Sequence, residues 1–174
     1  AEHRSACSQV RIWSDFVGVR CEGKGCASVV VPDVMKRSGP DLASWLASKH
    51  VNVTVTVPSY LQPMSGPGAD VSTAALPRLR VLDIGGEALE KDVLDTWAPG
   101  RCMCNGYGPA ENTVNCAGTR VRPGDASAIG GNLPTYLNHV LDPELLEECP
   151  VGVRGVLYVG GVGAGRGYLD DEKK

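Results

Sequence analysis

The chain has 174 residues, a formal net charge of −3, 43% apolar residues and 21% charged residues. That length is enough for one domain with a real core, and a near-neutral balance with no basic run argues against nucleic acid or an anionic membrane as the main partner. No apolar stretch approaches a membrane span and Ala1-Glu2-His3-Arg4 leads into no apolar signal segment, so the expected setting is cytoplasmic, with the seven cysteines as free thiols.

Residues 1–25 form a leader whose apolar patch, Ile12, Trp13, Phe16 and Val17, has no clear period. Val29 to Val31, before Pro32, reads as a short buried strand. Gly39-Pro40 opens a helix, with Asp41 complementing its dipole and Leu42, Trp45 and Leu46 forming one apolar stripe. Val51 to Val57 alternates β-branched residues and is the clearest strand. Pro58 starts a short helix through Leu61, and the Pro- and Gly-rich stretch 63–77 reads as a surface loop. Leu79 to Ile84 is a strand that leaves through Gly85-Gly86. Leu89, Val93, Leu94 and Trp97 mark an amphipathic helix stopped by Pro99-Gly100, and Arg101 to Asn105 is a strand running into Gly106-Tyr107-Gly108-Pro109.

Strand and helix thus alternate over residues 26–109, which predicts a parallel sheet with right-handed crossovers. Ligands of such sheets sit at the carboxyl ends of the strands, where Val57-Pro58, Gly85-Gly86 and Gly106-Tyr107 all fall. After residue 112 the strands shorten: Thr113 to Thr119, Tyr136 to Leu141 and Val156 to Gly161. The expected fold is α/β, a parallel sheet flanked by helices over 26–112, then a smaller β-rich region over 113–174.

Several motifs invite chemistry and fail its requirements. Gly18 to Gly25 nearly spells a phosphate-binding P-loop, but Gly25 stands where a magnesium-holding hydroxyl is needed and a strand follows instead of a helix; it reads as a loop. Gly160 to Gly167 is glycine-rich without fitting G-x-G-x-x-G, so it does not read as a dinucleotide-binding loop, yet glycines let backbone approach a ligand or another segment closely. Cys102 and Cys104 have no further ligand at metal spacing, and His3, His50 and His139 are scattered. Asn105 to Glu111 is the best site candidate. A ring, flexible glycines and a carboxylate follow a strand's end, and a nucleotide site needs a flat apolar face and an acid for its metal. The residues alone leave this level with a turn whose Tyr107 packs in the core.

Asn105-Gly-Tyr-Gly-Pro-Ala-Glu111 resembles the N-x-Y-G-P-T-E motif of nonribosomal-peptide-synthetase adenylation domains, in the adenylate-forming family. Leu79 to Leu89 resembles their L-R-x-L-x-x-G-G-E-A-L segment, and Ile129 to Pro134 their I-G-x-x-L-P turn. Pro150 to Gly161 and Gly163 to Leu169 are similar to P-V-G-x-x-G-E-L-Y-I-G-G and G-V-A-R-G-Y-L, in the same order and covering about residues 26–174. The resemblance implies an ATP- and magnesium-dependent activation of a carboxylate to an acyl-adenylate with release of pyrophosphate. The acyl group then passes to the thiol of a peptidyl carrier protein. Carried over by position, Asn105 would meet the adenine amino group and Tyr107 would stack on the ring, with Gly108, Pro109 and Ala110 completing the nucleotide motif. Gly85, Gly86 and Glu87 would wall the adenine pocket, and Glu111 would ligate magnesium. The pocket for an amino acid or other carboxylic acid would draw on Val55, Leu82, Ile84, Gly106, Val114 and Asn115. Of these, Gly106 and Val114 suggest room and an apolar lining, and Asn115 a polar spot.

Three departures bear on activity. Ala110 replaces the family's Thr, removing a hydroxyl contact to phosphate of a kind worth ~1.5–3 kcal/mol. Val156 replaces a Glu, and Gly131 an Arg. The family's phosphate loop would precede residue 1, and its ribose-binding Asp and catalytic Lys subdomain would follow Lys174. An incomplete N-terminal subdomain with little turnover of its own is therefore expected, the remainder of the adenylation domain being its partner. The alternatives are a fragment of an acyl- or aryl-acid ligase and a non-catalytic pseudo-adenylation scaffold.

Overall fold

The computed structural model describes residues 17–22, 25–36, 38–66 and 69–168. The expected apolar patch at Ile12, Trp13 and Phe16, the Gly23-Lys24 part of the near-P-loop, and Leu169 of the last motif lie outside these residues. The chain divides into two compact units. One holds the described residues through Asn105 with Thr119–Ala128, the other Gly106–Gly118 with the described residues from Ile129 onward.

The first unit contains a mixed sheet. Strands β1 (Val17–Glu22) and β2 (Gly25–Val30) pair antiparallel, with Cys21 opposite Cys26. β1 also pairs antiparallel with β3 (Val53–Thr56), which pairs parallel with β4 (Val81–Gly85). The order continues through β5 (Cys102–Tyr107) to β6 (Ala117–Val121). The expectation of a wholly parallel sheet is corrected here. The stretch read as a loop, Gly18 to Glu22, is a strand, because its backbone groups are satisfied by two neighbouring strands. Local glycine content carries no information about such long-range pairing.

The helices follow the apolar spacing closely. In α1 (Pro40–Ser48) Leu42 and Leu46 are fully buried, and Lys49 lies over the partly buried Trp45 ring at 5.8 Å. The short α2 (Pro58–Leu61) runs into a 3-10 turn at Gln62–Ser65, which buries Met64. In α3 (Lys91–Trp97) Val93, Leu94 and Trp97 are buried, and Trp97 Nε1 donates to Ser65 Oγ at 2.9 Å. These side chains form one core with Leu82 and Ile84 of β4, Met103 of β5 and Val121 of β6. Each full burial of a Leu or Ile is worth ~1.5–3 kcal/mol. Side chains alternate along a strand, so Asp83, between Leu82 and Ile84, faces the other side of the sheet.

Arg101 is 7% exposed and has no carboxylate partner among the described residues. It donates instead to three backbone carbonyls: Nε to Leu79 O at 3.3 Å, Nη1 to Trp97 O at 3.2 Å and Nη2 to Val71 O at 2.6 Å. Its guanidinium lies 5.7 Å from the Trp97 ring centre, and burial lowers its pKa. It ties the end of α3 to two points of the loop that precedes β4.

In the second unit β6 pairs antiparallel with β7 (Gly131–Asn132), and β8 (Tyr136–Leu141) pairs antiparallel with β9 (Val156–Gly161). One face of the β8–β9 ribbon carries Asn138, whose Nδ2 donates to Cys116 O at 3.2 Å. Register puts Leu137, Tyr158 and Val156 on the opposite face, where they are 60%, 42% and 47% exposed. The strand expected from Thr113 begins only at Ala117. The expectation of free thiols holds for Cys102, Cys116 and Cys149, whereas Cys26 and Cys104 are disulfide-bonded. Spacing along a chain tests for metal grips, and a disulfide depends on distance in space.

Candidate functional site

The expected site residues fall in both units. In the first, Gly85 ends β4 and Gly86 turns with φ +80°, a conformation natural to glycine. The turn delivers Glu87, whose Oε2 accepts from Ser59 N and Oε1 from Ser59 Oγ, both at 3.0 Å. Both carboxylate oxygens therefore sit at the start of α2, where backbone N–H groups lack helical partners and negative charge is favoured.

Asn105 is 5% exposed, and its Nδ2 donates to Ala128 O at 2.8 Å. A carbonyl can only accept, so this bond fixes the amide's orientation and leaves Oδ1 as the acceptor still to be used. Val55 is 3% exposed, and Leu82 and Ile84 are 0% exposed within the core cluster. Asp83 is the register neighbour of Val55. Its half-buried carboxyl has no hydrogen-bond or ion-pair partner among the described residues, and burial pushes its pKa up to about 6.

The second unit holds the rest. Gly106 and Tyr107 close β5, and after Gly108-Pro109 a 3-10 turn spans Ala110–Asn112. Thr113 then takes φ +72°, ψ −66°, and Val114 N donates back to Asn112 O at 3.0 Å. This is the rare strained γ-turn, and a β-branched residue there is an outlier. Cys116 N donates to Tyr107 O at 2.8 Å, closing the hairpin. A Cβ at Gly108 would lie 2.1 Å from Val114 O, and one at Gly106 would lie 2.5 Å from Asn115 Nδ2. The space that Gly106 promises in a substrate pocket is thus already occupied by the Asn115 amide. Asn112 is 3% exposed, and both its amide atoms lack a hydrogen-bond partner among the described residues. Backbone strain beside unsatisfied buried polarity is the pattern of a functional turn.

The glycine-rich run, unexplained by any nucleotide fingerprint, closes on this turn. Gly165 N donates to Glu111 O at 2.6 Å, Thr113 Oγ1 donates to Gly163 O at 2.8 Å, and the Tyr168 hydroxyl donates to Glu111 Oε1. A Cβ at position 165 would already lie 3.0 Å from Glu111 O, so glycine permits the approach. The Glu111 carboxylate beside Tyr168 raises the phenol's pKa.

Glu111 is exposed, and no group of three or more His, Cys, Asp or Glu side chains able to hold a metal occurs among the described residues. A lone carboxylate does not fit a resident ion in an all-protein cage. It fits magnesium that arrives with substrate phosphates, which typically takes one or two protein carboxylates. Ala110 is exposed and offers no hydroxyl. Sequence reasoning passed over Asp83, Thr113 and Tyr168. Asp83 carried a visible signal, a lone acid between two core positions, and Tyr168 lay within the segment similar to G-V-A-R-G-Y-L.

The family model described as AMP-binding enzyme matches residues 21–169. Among curated proteins the chain is 41% identical over 143 residues to the "Probable non-canonical nonribosomal peptide synthetase (NRPS) CymA" of Salinispora arenicola, covering 82% of this chain and 2% of that protein. It is 35% identical over 146 residues to the phosphinothricin tripeptide synthetase PhsC of Streptomyces viridochromogenes, covering 84% of this chain and 13% of that protein. Among solved structures, the four-domain nonribosomal peptide synthetase holo-AB3403, bound to AMP and glycine, superposes with a TM-score of 0.71 at 27% identity, over 81% of this chain and 10% of that one. A benzoate CoA ligase from Burkholderia xenovorans LB400 shares the fold, with a TM-score of 0.66 at 23% identity over 78% of this chain and 28% of that one. The chain therefore spans a small part of the length of each relative, and it belongs to the AMP-binding enzyme family.

Proposed function

We propose that this chain is part of an amino-acid-activating adenylation domain, joining a carboxylate to AMP from ATP with release of pyrophosphate, for transfer to a carrier-protein thiol. The observation that carries the reading is the Asn105 amide. With Nδ2 committed to Ala128 O, Oδ1 is left to accept from the exocyclic amino group that distinguishes adenine from hypoxanthine or guanine. Tyr107 supplies an aromatic ring, and Glu111 a carboxylate for the magnesium that accompanies the phosphates. Magnesium would neutralise charge on the phosphates, and the protein's share of the work is alignment and charge stabilisation. The likeness to nonribosomal peptide synthetases supports an amino acid as the acid and a carrier protein as the partner.

Binding of AMP and IMP to the purified chain, measured by titration calorimetry, tests this reading. The inosine keto oxygen would confront an acceptor, so AMP should bind more tightly by ~1.5–3 kcal/mol. Asn105→Leu should remove most of that preference. Equal affinity for the two nucleotides in the wild-type chain would refute the assignment of Asn105 to adenine.

A further inference from the structure

One residue of β4 is not explained by the sheet that holds it. Leu82 and Ile84 are turned into the core. Side chains alternate along a strand, so Asp83 stands on the opposite face with Val81 and Gly85. Its register neighbour across the parallel pair is Val55, and Val53 stands beside Val81. These valines give the acid apolar surroundings. β3, β4 and β5 contain no Lys, Arg or His, and Asp83 has neither a hydrogen-bond nor an ion-pair partner among the described residues. Burial has carried its pKa up to about 6. Buried acids that serve only the fold are paired. An acid kept unpaired, at a cost to stability, is the mark of a group held for a ligand. Its place fits that role: Asp83 lies two residues before the end of β4, on the strand that delivers Gly85, Gly86 and Glu87. Ligands of parallel strands sit at that end.

We infer that Asp83 is a substrate-binding residue that sets the class of acid taken: its carboxylate receives a protonated amine of the acid to be activated. The inference rests on the proposed function, in which the acid is joined to AMP and must lie beside the nucleotide. At neutral pH the carboxyl is mostly ionised and offers a negative charge to a partly desolvated site, where a cation is held more strongly than in water. An acid of the same size without the amine leaves that charge unpaired and is disfavoured. Pairing favours the ionised form, so a bound amine pulls the Asp83 pKa back down.

Four acids on one six-carbon skeleton test this on the full chain. Lysine carries an α-amine and a terminal amine, norleucine the α-amine alone, 6-aminohexanoate the terminal amine alone, and hexanoate neither. Calorimetry at neutral pH gives their affinities, and carbon-detected magnetic resonance of the Asp83 carboxyl follows its titration with each acid present. At least one amine-bearing acid should bind about 10-fold or more tightly than hexanoate and lower the Asp83 titration from its value in the free chain. Asp83→Asn should abolish that preference. Norleucine and 6-aminohexanoate then separate the two sources of the cation, the α-amine and the side chain. Hexanoate bound as tightly as the amines, or an Asp83 titration that none of the four acids moves, would overturn the inference, and a preference for AMP over IMP in the same chain would leave the proposed function standing. An amine preference that survives Asp83→Asn would place the cation on another group and overturn it too. Equal affinity for AMP and IMP removes the proposed function and this inference with it.

Discussion

Asp83 is the residue whose removal should improve the protein at neutral pH. It sits half-buried on β4, without a hydrogen-bond or ion-pair partner among the described residues. Burial carries its carboxyl from the ordinary 3.8 to about 6. That gap of about 2 pH units, at ~1.36 kcal/mol each, sets a ceiling of ~3 kcal/mol. Residual solvent around a half-buried group screens the penalty, which brings the expected value to ~1–2 kcal/mol. The direction follows from proton counting. Between about pH 4 and pH 6 the folded chain retains a proton that the unfolded chain has lost. Stability therefore falls as pH rises through that window, and the full penalty is present above it. Asp83→Asn keeps the shape and discards the charge. Urea denaturation of both proteins from pH 4 to pH 7.5, taken as a difference so that other groups cancel, should show Asp83→Asn gaining ~1–2 kcal/mol over wild type toward neutral pH and nothing near pH 4. A difference constant across that range would refute the reasoning, and a difference of opposite slope would mean that the carboxylate is stabilised in the folded chain.

Two further substitutions address the two units. Arg101→Met retains an aliphatic stem and strands three carbonyls that now accept from the guanidinium; chemical denaturation should show a loss of ~2–4 kcal/mol, and Arg101→Lys, whose ammonium lacks the planar fork, should recover only part of it. Gly108→Ala drives a methyl against backbone atoms of Val114 and Asn115, so it should cost ~1–3 kcal/mol and speed hydrogen exchange at the Cys116 amide, which bonds to Tyr107 O.

Local rules served well wherever local interactions decide the structure. The helix at Pro40 with its Leu42 and Leu46 stripe, and the strands Tyr136–Leu141 and Val156–Gly161, stand where periodicity and turn residues put them. They failed where a distant segment decides. Gly18 to Glu22 looked like a loop because it nearly spells a P-loop, although Val17, Val19 and Cys21 alternate with Gly18, Arg20 and Glu22, and it is a strand paired with β2 along its length and with β3 at Val17–Val19. Thr113 to Cys116 has strand-like composition, yet the contact over Gly108 bends it into a γ-turn and delays the strand to Ala117. The candidate site divides along the same line. Asn105, Tyr107 and Glu111 are proposed from one contiguous motif, while Tyr168 lies 57 residues from Glu111 and only the folded chain joins them. The glycine-rich run announced that something approached closely and could not say what. Ordinary patterning has no signal for Arg101, a cation whose hydrogen-bond acceptors among the described residues are backbone oxygens.

The open face of the β8–β9 ribbon changes how this protein's folding must be monitored. Leu137, Tyr158 and Val156 lie exposed together on it, and Leu145, Val151 and Val162 are exposed elsewhere in the same unit. Dyes that fluoresce on apolar surfaces are ordinarily used to detect chains that have lost their packing. Here the native state itself offers such a surface, so a bright dye signal says nothing about the core beneath α1 and α3. Near-ultraviolet dichroism from Trp97, fully buried beside Arg101, reports on that core directly and separates an intact fold from a collapsed one.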